Sequence, residues 1–208
     1  MTNQYYSLAI TDGDELFSWG SNKDGRLGHL KDKGEIIQNP KRYDFFSNNY
    51  FKVIDSSCGN SHIAVVACSK DESNDGTGSV YTWGLPLYGR LGYIHYKQDR
   101  KDYKADNYDN FEYTSEPKKL EINQKIVRVF CGEDFSACLT EKGKIFTWGT
   151  NKWGNLGVEN KTFENEPNVI NLPTEIMTFV NKTVIQVKIY LLVFFMFCFI
   201  FIENYKIF

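Results

Sequence analysis

The sequence predicts an all-β chain of repeated four-stranded antiparallel units, on three observations. A W-G-x4-G-x-L-G spacing runs from Trp19 to Gly28, from Trp83 to Gly92 and from Trp148 to Gly157 without a gap. The copies recur at a period of about 65 residues, the mark of an architecture assembled from repeats. Around them, short apolar runs end at Gly, Asn, Asp or Pro, the length and punctuation of strands rather than helices.

Four segments recur in order. The first reads "YSLAITD", "HIAVVACSK" and "FSACLTE". The second, "LFSWG", "VYTWG" and "IFTWG", sets Phe17 with Trp19, Tyr81 with Trp83 and Phe146 with Trp148 on one face, and aliphatic residues with Ser or Thr on the other. Neither face is charged, so the strand is expected to be covered on both sides. The third follows a proline at Pro40, Pro117 and Pro167. The fourth is a β-branched run, "FKVIDSSCG" or "KIVRVFCG", ending in Cys58-Gly59 or Cys131-Gly132. "YSLAITDGDELFSWG" and "FSACLTEKGKIFTWG" align without gaps, while the middle copy carries extra residues around "DESNDGTG", an insertion that a loop tolerates. Four strands per repeat with both faces buried form a β-propeller blade. Residues 4–187 divide into blades at about 4–57, 58–130 and 131–187, and an apolar tail follows at 188–208.

The glycines have a geometric reason. After Trp19-Gly20, Trp83-Gly84 and Trp148-Gly149 the chain must reverse tightly, and Gly25, Gly89 and Gly154 take positive φ without a steric penalty. Leu27, Leu91 and Leu156 pin the loop to the core, and Gly28, Gly92 and Gly157 let backbones approach. Each tryptophan is expected to wedge between neighbouring blades, where truncation costs about 3–5 kcal/mol.

These residues resemble the regulator of chromosome condensation repeat family, whose signature is similar to WGxNxxGxLG with a CGxxH landmark. The resemblance implies a seven-bladed propeller used mainly for protein binding. Family settings include guanine-nucleotide exchange on the Ran GTPase, regulatory domains of HECT-type ubiquitin ligases, and trafficking or ciliary adaptors. Leu85-Pro86-Leu87 departs from the pattern, since the other copies have Ser21-Asn22-Lys23 and Thr150-Asn151-Lys152. Three blades do not close a ring, so the expectation is a fragment of a longer protein or a chain that pairs with other copies through its uncapped end blades.

No catalytic, metal or cofactor constellation stands out. The five cysteines form no CxxC pair, and the reading is buried thiols in a reducing compartment, cytoplasmic or nuclear. A net charge of −2 gives no basic surface for nucleic acid. His62, in "CGNSH", shares its slot with Tyr6 and Phe135, so it reads as an aromatic filler rather than a ligand; His29 and His95 read as solvated. Cys58 and Cys131 read as small buried side chains. The partner is expected to be a protein, with a small GTPase as the alternative. Candidate contacts are Tyr96, Tyr103 and Tyr108 in the long segment 93–115, and Asp24, Tyr88 and Trp153 before the central glycines, with Leu85 and Leu87 adding apolar surface. The bland alternatives are a solvated insertion for the first set and burial under a neighbouring blade for the second. All three W-G loops keep one length, so no inserted exchange wedge lies in them.

The tail from Ile189 to Ile202 is unbroken apolar sequence. "VIQV" at 184–187 matches "IVRV" at 126–129, after which Cys-Gly is expected and Ile189-Tyr190 stands instead. A membrane anchor, the alternative to a cytoplasmic or nuclear location, would be short of the roughly 20 residues a spanning helix needs and would require a thin membrane. A buried terminal strand would be unusually long. The preferred reading is translated intron, because Val-Lys can be encoded by a splice-donor-like GTNAAR.

Overall fold

The computed structural model describes residues 5–29, 36–71, 75–94, 113–159, 168–179, 183–191 and 196–202. Its strands are antiparallel throughout. The first sheet is β1 (Tyr6–Ile10), β2 (Leu16–Ser21) and β3 (Ile36–Arg42), in that order. The second is β4 (Phe51–Cys58), β5 (His62–Ser69), β6 (Ser79–Gly84) and β7 (Thr114–Lys119). The third is β8 (Ile126–Cys131), β9 (Phe135–Thr140), β10 (Ile145–Thr150) and β11 (Val169–Glu175). A short helix, α1 (Asp44–Asn48), lies between the first and second sheets in sequence and buries Phe46. These are propeller blades, as the repeat implies. The first, expected to have four strands, has three among the described residues.

The hydrogen-bonded sheets are shifted by one strand from the sequence repeat. Residues 51–57, placed at the end of the first repeat, form β4 and pair with β5, so each repeat ends with the first strand of the next sheet. This offset ties neighbouring sheets together covalently.

The tail is strand rather than helix. β12 (Val184–Leu191) pairs with β13 (Met196–Ile202), dividing the apolar run between two strands instead of one long one. No helix among the described residues is long and apolar enough to cross a membrane. β12 docks as β4 and β8 do. Val53, Ile126 and Val184 each donate a backbone N–H to the β-turn of the preceding sheet, at Asp14, Gly78 and Gly143 respectively, 3.0–3.1 Å away.

The apolar core sits between sheets. Leu8, Leu16, Val53, Ile63, Tyr81 and Trp83 fill the first seam with Phe46; Ala64, Val66, Val80, Ile126, Val129 and Trp148 fill the second. Leu139, Ile145, Ile176, Val184 and Val187 join β12 to the third sheet. The middle sheet is thus covered on both faces, which explains why β5 is buried along almost its whole length.

Candidate functional site

Each W-G loop is held by the same internal bonds. The hydroxyls of Ser18, Thr82 and Thr147 donate to the carbonyls of Leu27, Leu91 and Leu156, at 3.1, 2.6 and 2.8 Å. Asn22 and Asn151 close the loop twice over. Their Oδ1 atoms accept from the Leu27 and Leu156 N–H, and their Nδ2 groups donate to the carbonyls of His29 and Val158. Pro86 cannot do this in the middle copy. There Leu85 and Leu87 are buried instead, and Leu87–Gly89 packs against β10 and β11 of the next sheet. Gly25, Gly89 and Gly154 have φ of 61°, 68° and 68°, the left-handed geometry expected of them. Gly20, Gly84 and Gly149 are also left-handed, and a Cβ on Gly84 would collide with the Ser61 carbonyl.

The loops reach forward across the seams. Trp83 donates its indole N–H to the Arg26 carbonyl at 3.1 Å, and Trp148 donates to the Arg90 carbonyl at 2.9 Å. Both rings are fully buried, as wedges should be; Trp19, in the first sheet, is partly exposed. The side chains of Arg26 and Arg90 run the same way. Arg26 Nη1 donates to the Asn60 carbonyl at 3.1 Å, and Arg90 Nη2 pairs with Asp134 Oδ1 at 2.8 Å. Each guanidinium therefore clamps the Cys-Gly loop of the following sheet. Sequence reasoning passed over these arginines, although Gly-Arg-Leu-Gly recurs in two copies; the third has Asn155 in that slot.

The Cys-Gly loops are packed, not reactive. A Cβ on Gly59 would meet the His62 ring, and one on Gly132 would meet the Phe135 ring, so glycine is required wherever the aromatic three residues on folds back over it. The Tyr6 hydroxyl lies 2.7 and 2.8 Å from the carbonyl oxygens of Gly59 and His62, its single hydrogen shared between them. His62 is wholly buried, with Nε2 2.8 Å from Ser136 Oγ. The single hydroxyl hydrogen of Ser136 goes to the Arg90 carbonyl at 2.9 Å, so Nε2 of His62 is the donor and Nδ1 is left as a buried acceptor without a partner. Burial, then the neighbouring Arg90 charge, pushes the imidazole pKa well below its ordinary value. His62 is a neutral filler that also stitches two sheets. Burial raises the Cys58 thiol to about 11 and the Cys131 thiol to about 12. Among the described residues no three His, Cys, Asp or Glu side chains gather where they could hold a metal ion.

The structure separates the predicted contact residues. Leu85 and Leu87, expected to add surface, are covered, because the third sheet lies over their loop. His29, expected to be solvated, is buried with Nε2 2.9 Å from Ser18 Oγ and its ring edge-on to Tyr43. Tyr88 is partly buried at φ 58° beside the Arg90 guanidinium. Trp153 is 78% exposed, with Lys152 Nζ 5.1 Å from its ring centroid. The Asp24 side chain, His95, Tyr96, Tyr103 and Tyr108 lie outside the described residues.

Comparison with known proteins agrees with this geometry. A family model described as "Regulator of chromosome condensation (RCC1) repeat" matches residues 13–66, 77–139 and 142–189, and a second of the same description matches 126–154. Each of the first two segments runs from the middle of one sheet into the next, the offset seen in the strands. The chain is 36% identical over 159 residues to serine/threonine-protein kinase Nek9 of Xenopus laevis, covering 76% of this chain and 14% of that protein. It is 31% identical over 160 residues to the human E3 ubiquitin-protein ligase HERC2, covering 73% of this chain and 3% of that one. The chain therefore spans only a small part of the curated relatives it matches. Among solved structures, Prp20p of Saccharomyces cerevisiae superposes with a TM-score of 0.67 at 23% identity, over 89% of this chain and 40% of that one. Human WBSCR16 superposes at 0.62 and 22% identity, over 88% and 41%. The stitched seams, the left-handed loop glycines and the three matched segments together place the chain in the regulator of chromosome condensation repeat family.

Proposed function

We propose that this chain acts as a non-catalytic protein-interaction scaffold, its sheets forming a wall and its W-G loops presenting the contacts. The observation that carries this reading is where the chemistry-bearing groups go. His62, Cys58, Arg26 and Arg90 are used inside or across seams, whereas Trp153 stands exposed at a loop tip held rigid by Asn151. A large aromatic on a rigid loop is the kind of anchor that dominates protein interfaces. Thiols that form no disulfide among the described residues fit a reducing compartment, and the cytoplasm or nucleus is the proposed location.

Two narrower readings draw on the relatives. One solved structure is of Kap60 bound to yeast RCC1 (Prp20), and another is described with its binding to Gsp1p and histones. The HERC relatives are named as ubiquitin-protein ligases, which favours a regulatory segment of such an enzyme as the alternative. The test is a nucleotide-release assay with a Ran-type GTPase beside crosslinking of the chain to candidate partners. The scaffold reading expects no acceleration of release and crosslinks at 151–154 that Trp153→Ala removes while melting is unchanged. Accelerated release, or partner crosslinks that ignore Trp153, would overturn it.

A further inference from the structure

We propose that the end of the sheets opposite the W-G loops carries a second protein-docking site, built on Tyr50 and Lys70, for a partner segment that presents one carboxylate beside an aliphatic side chain. In the second sheet the W-G loop leaves β6 at Gly84, opposite His62, whereas Tyr50 leads into β4 at Phe51, opposite Ser69. The length of β5 therefore separates this site from the loop tips.

Tyr50 is an unexpected residue at its position. It follows α1, with its N–H donated to the Ser47 carbonyl at 3.2 Å and its carbonyl receiving the Lys70 N–H at 3.0 Å. The backbone there has φ 60°, the left-handed turn that ends many helices and selects glycine or asparagine. Asn48 and Asn49 stand immediately before it, yet a tyrosine fills the left-handed position. A bulky side chain at such a φ carries a conformational cost. Packing does not offset that cost, because the residue is 57% exposed and its hydroxyl has no partner among the described residues. Tyr88, the other tyrosine with positive φ, is partly buried beside Arg90. A contact made from outside the chain is what remains to account for Tyr50.

Lys70 sets the polarity of that contact. Its Nζ lies 5.8 Å from the Tyr50 ring centroid, and among the described residues no carboxylate pairs with it. Arg42, Lys125 and Lys144, by contrast, each have a carboxylate within 2.9 Å. A partner carboxylate would neutralise Lys70 while an adjacent aliphatic group covers the tyrosine face. Asp71 follows Lys70, and the Asp14 carbonyl takes the Val53 N–H at 3.1 Å, so acidic side chains flank the site. They would repel an acidic run, which leaves a single carboxylate as the complement. Phe51, half-buried with its ring centroid 5.7 Å from that of Tyr81, anchors the base of the site.

The test passes three peptide pools over the immobilised whole chain and measures the bound fraction. Each pool has degenerate flanks around a fixed leucine followed by glutamate, glutamine or lysine. The glutamate pool should bind about three-fold more tightly than the glutamine pool, the size of an exposed ion pair, and the lysine pool should bind least. Equal binding of the three pools, or none up to about 1 mM peptide, would overturn the proposal. Lys70→Glu should reverse the order of the pools. Lys142→Glu, the same charge change on an exposed lysine of the third sheet, should leave the order as it is; reversal by both variants would reduce the effect to net charge and refute the site. Tyr50→Gly should raise the urea midpoint by relieving the left-handed strain and weaken binding of the glutamate pool about five-fold. Undiminished binding would remove Tyr50 from the site, and a lowered midpoint would show that the tyrosine serves packing; either result overturns the proposal. These readouts are independent of crosslinks at 151–154, which report on the other end of the sheets.

Discussion

The Arg90–Asp134 pair offers a quantitative test of the seam between the second and third sheets. Arg90 Nη2 lies 2.8 Å from Asp134 Oδ1, with the two side chains 3% and 24% exposed. Burial depresses the guanidinium pKa and Asp134 is the main influence opposing it. Asp134→Ala leaves a buried cation with its Nε bond to the Leu87 carbonyl, the Tyr88 ring 5.6 Å away and only the weaker influence of the Glu133 carboxylate in place of its paired anion. Breaking a fully buried pair from one side costs about 3–5 kcal/mol, and the partial exposure of Asp134 reduces this to about 2–3 kcal/mol. Asp134→Asn retains an acceptor and should lose about 1 kcal/mol. The Arg90→Met/Asp134→Ala double variant removes the stranded charge, so it should fall short of the sum of the single losses by about 1–2 kcal/mol. The measurement is urea unfolding followed by far-UV circular dichroism, with midpoints compared at constant slope. Glu15→Ala, which breaks an exposed contact to Arg42, is the control and should leave the midpoint unmoved. If Asp134→Ala behaves like that control, or if the double variant is additive, the clamp does not hold the seam.

The remaining tests address the glycines, the thiols and the histidine. Gly84→Ala should abolish stable folding or lower the urea midpoint severely, since its Cβ would strike the Ser61 carbonyl at φ 115°. Gly154→Ala, with open space at φ 68°, should cost only about 1 kcal/mol. Equal losses would show that the close approach at Gly84 is not what selects glycine. Cys58 and Cys138 should resist a thiol reagent in the folded chain and react promptly in denaturant, because both are buried and burial raises both thiol pKa values; fast labelling of the folded chain would contradict their packing. The depressed pKa of His62 means that the unfolded chain binds more protons once pH falls below its ordinary value near 6.5. Its contribution is therefore present above that pH and is lost as pH falls below it. The urea midpoint of the wild type should drop between neutral and mildly acidic pH, and His62→Phe, which adopts the residue of the Phe135 slot, should flatten that drop; identical profiles would refute the buried-imidazole account.

Much of the fold was legible because its turns dictate residue type. A left-handed position selects glycine, so Gly25, Gly89 and Gly154 declare the loop wherever they recur, and the two-residue period of "LFSWG" declares a strand. The repeat also interpreted His62 correctly, since Tyr6 and Phe135 share its slot. What escaped was whatever depends on a neighbouring sheet. Leu85 and Leu87 could be read as surface or as burial under a neighbouring blade, and the sequence did not decide because the strands that cover them, β10 and β11, begin about sixty and eighty residues later. His29 looked solvated for a different reason: its partner, Ser18, lies on β2 of its own sheet, and only the folded-back W-G loop brings the two together. Arg26 and Arg90 read as ordinary charged loop residues, although one reaches Asn60 and the other Asp134.

Local pattern specifies the blade, and the seam is specified by pairs of positions whose link is visible only once two blades stand side by side. The two loop arginines clamp by different acceptors: Arg90 faces an acidic residue and Arg26 a backbone carbonyl, while the third copy carries Asn155 in that slot. A guanidinium without a loop to receive it would be a cation held at a buried seam, which is costly, whereas an amide at the same place is not. At Asn155 the side chain turns inward instead, donating its amide to the Thr150 carbonyl of its own loop at 3.0 Å.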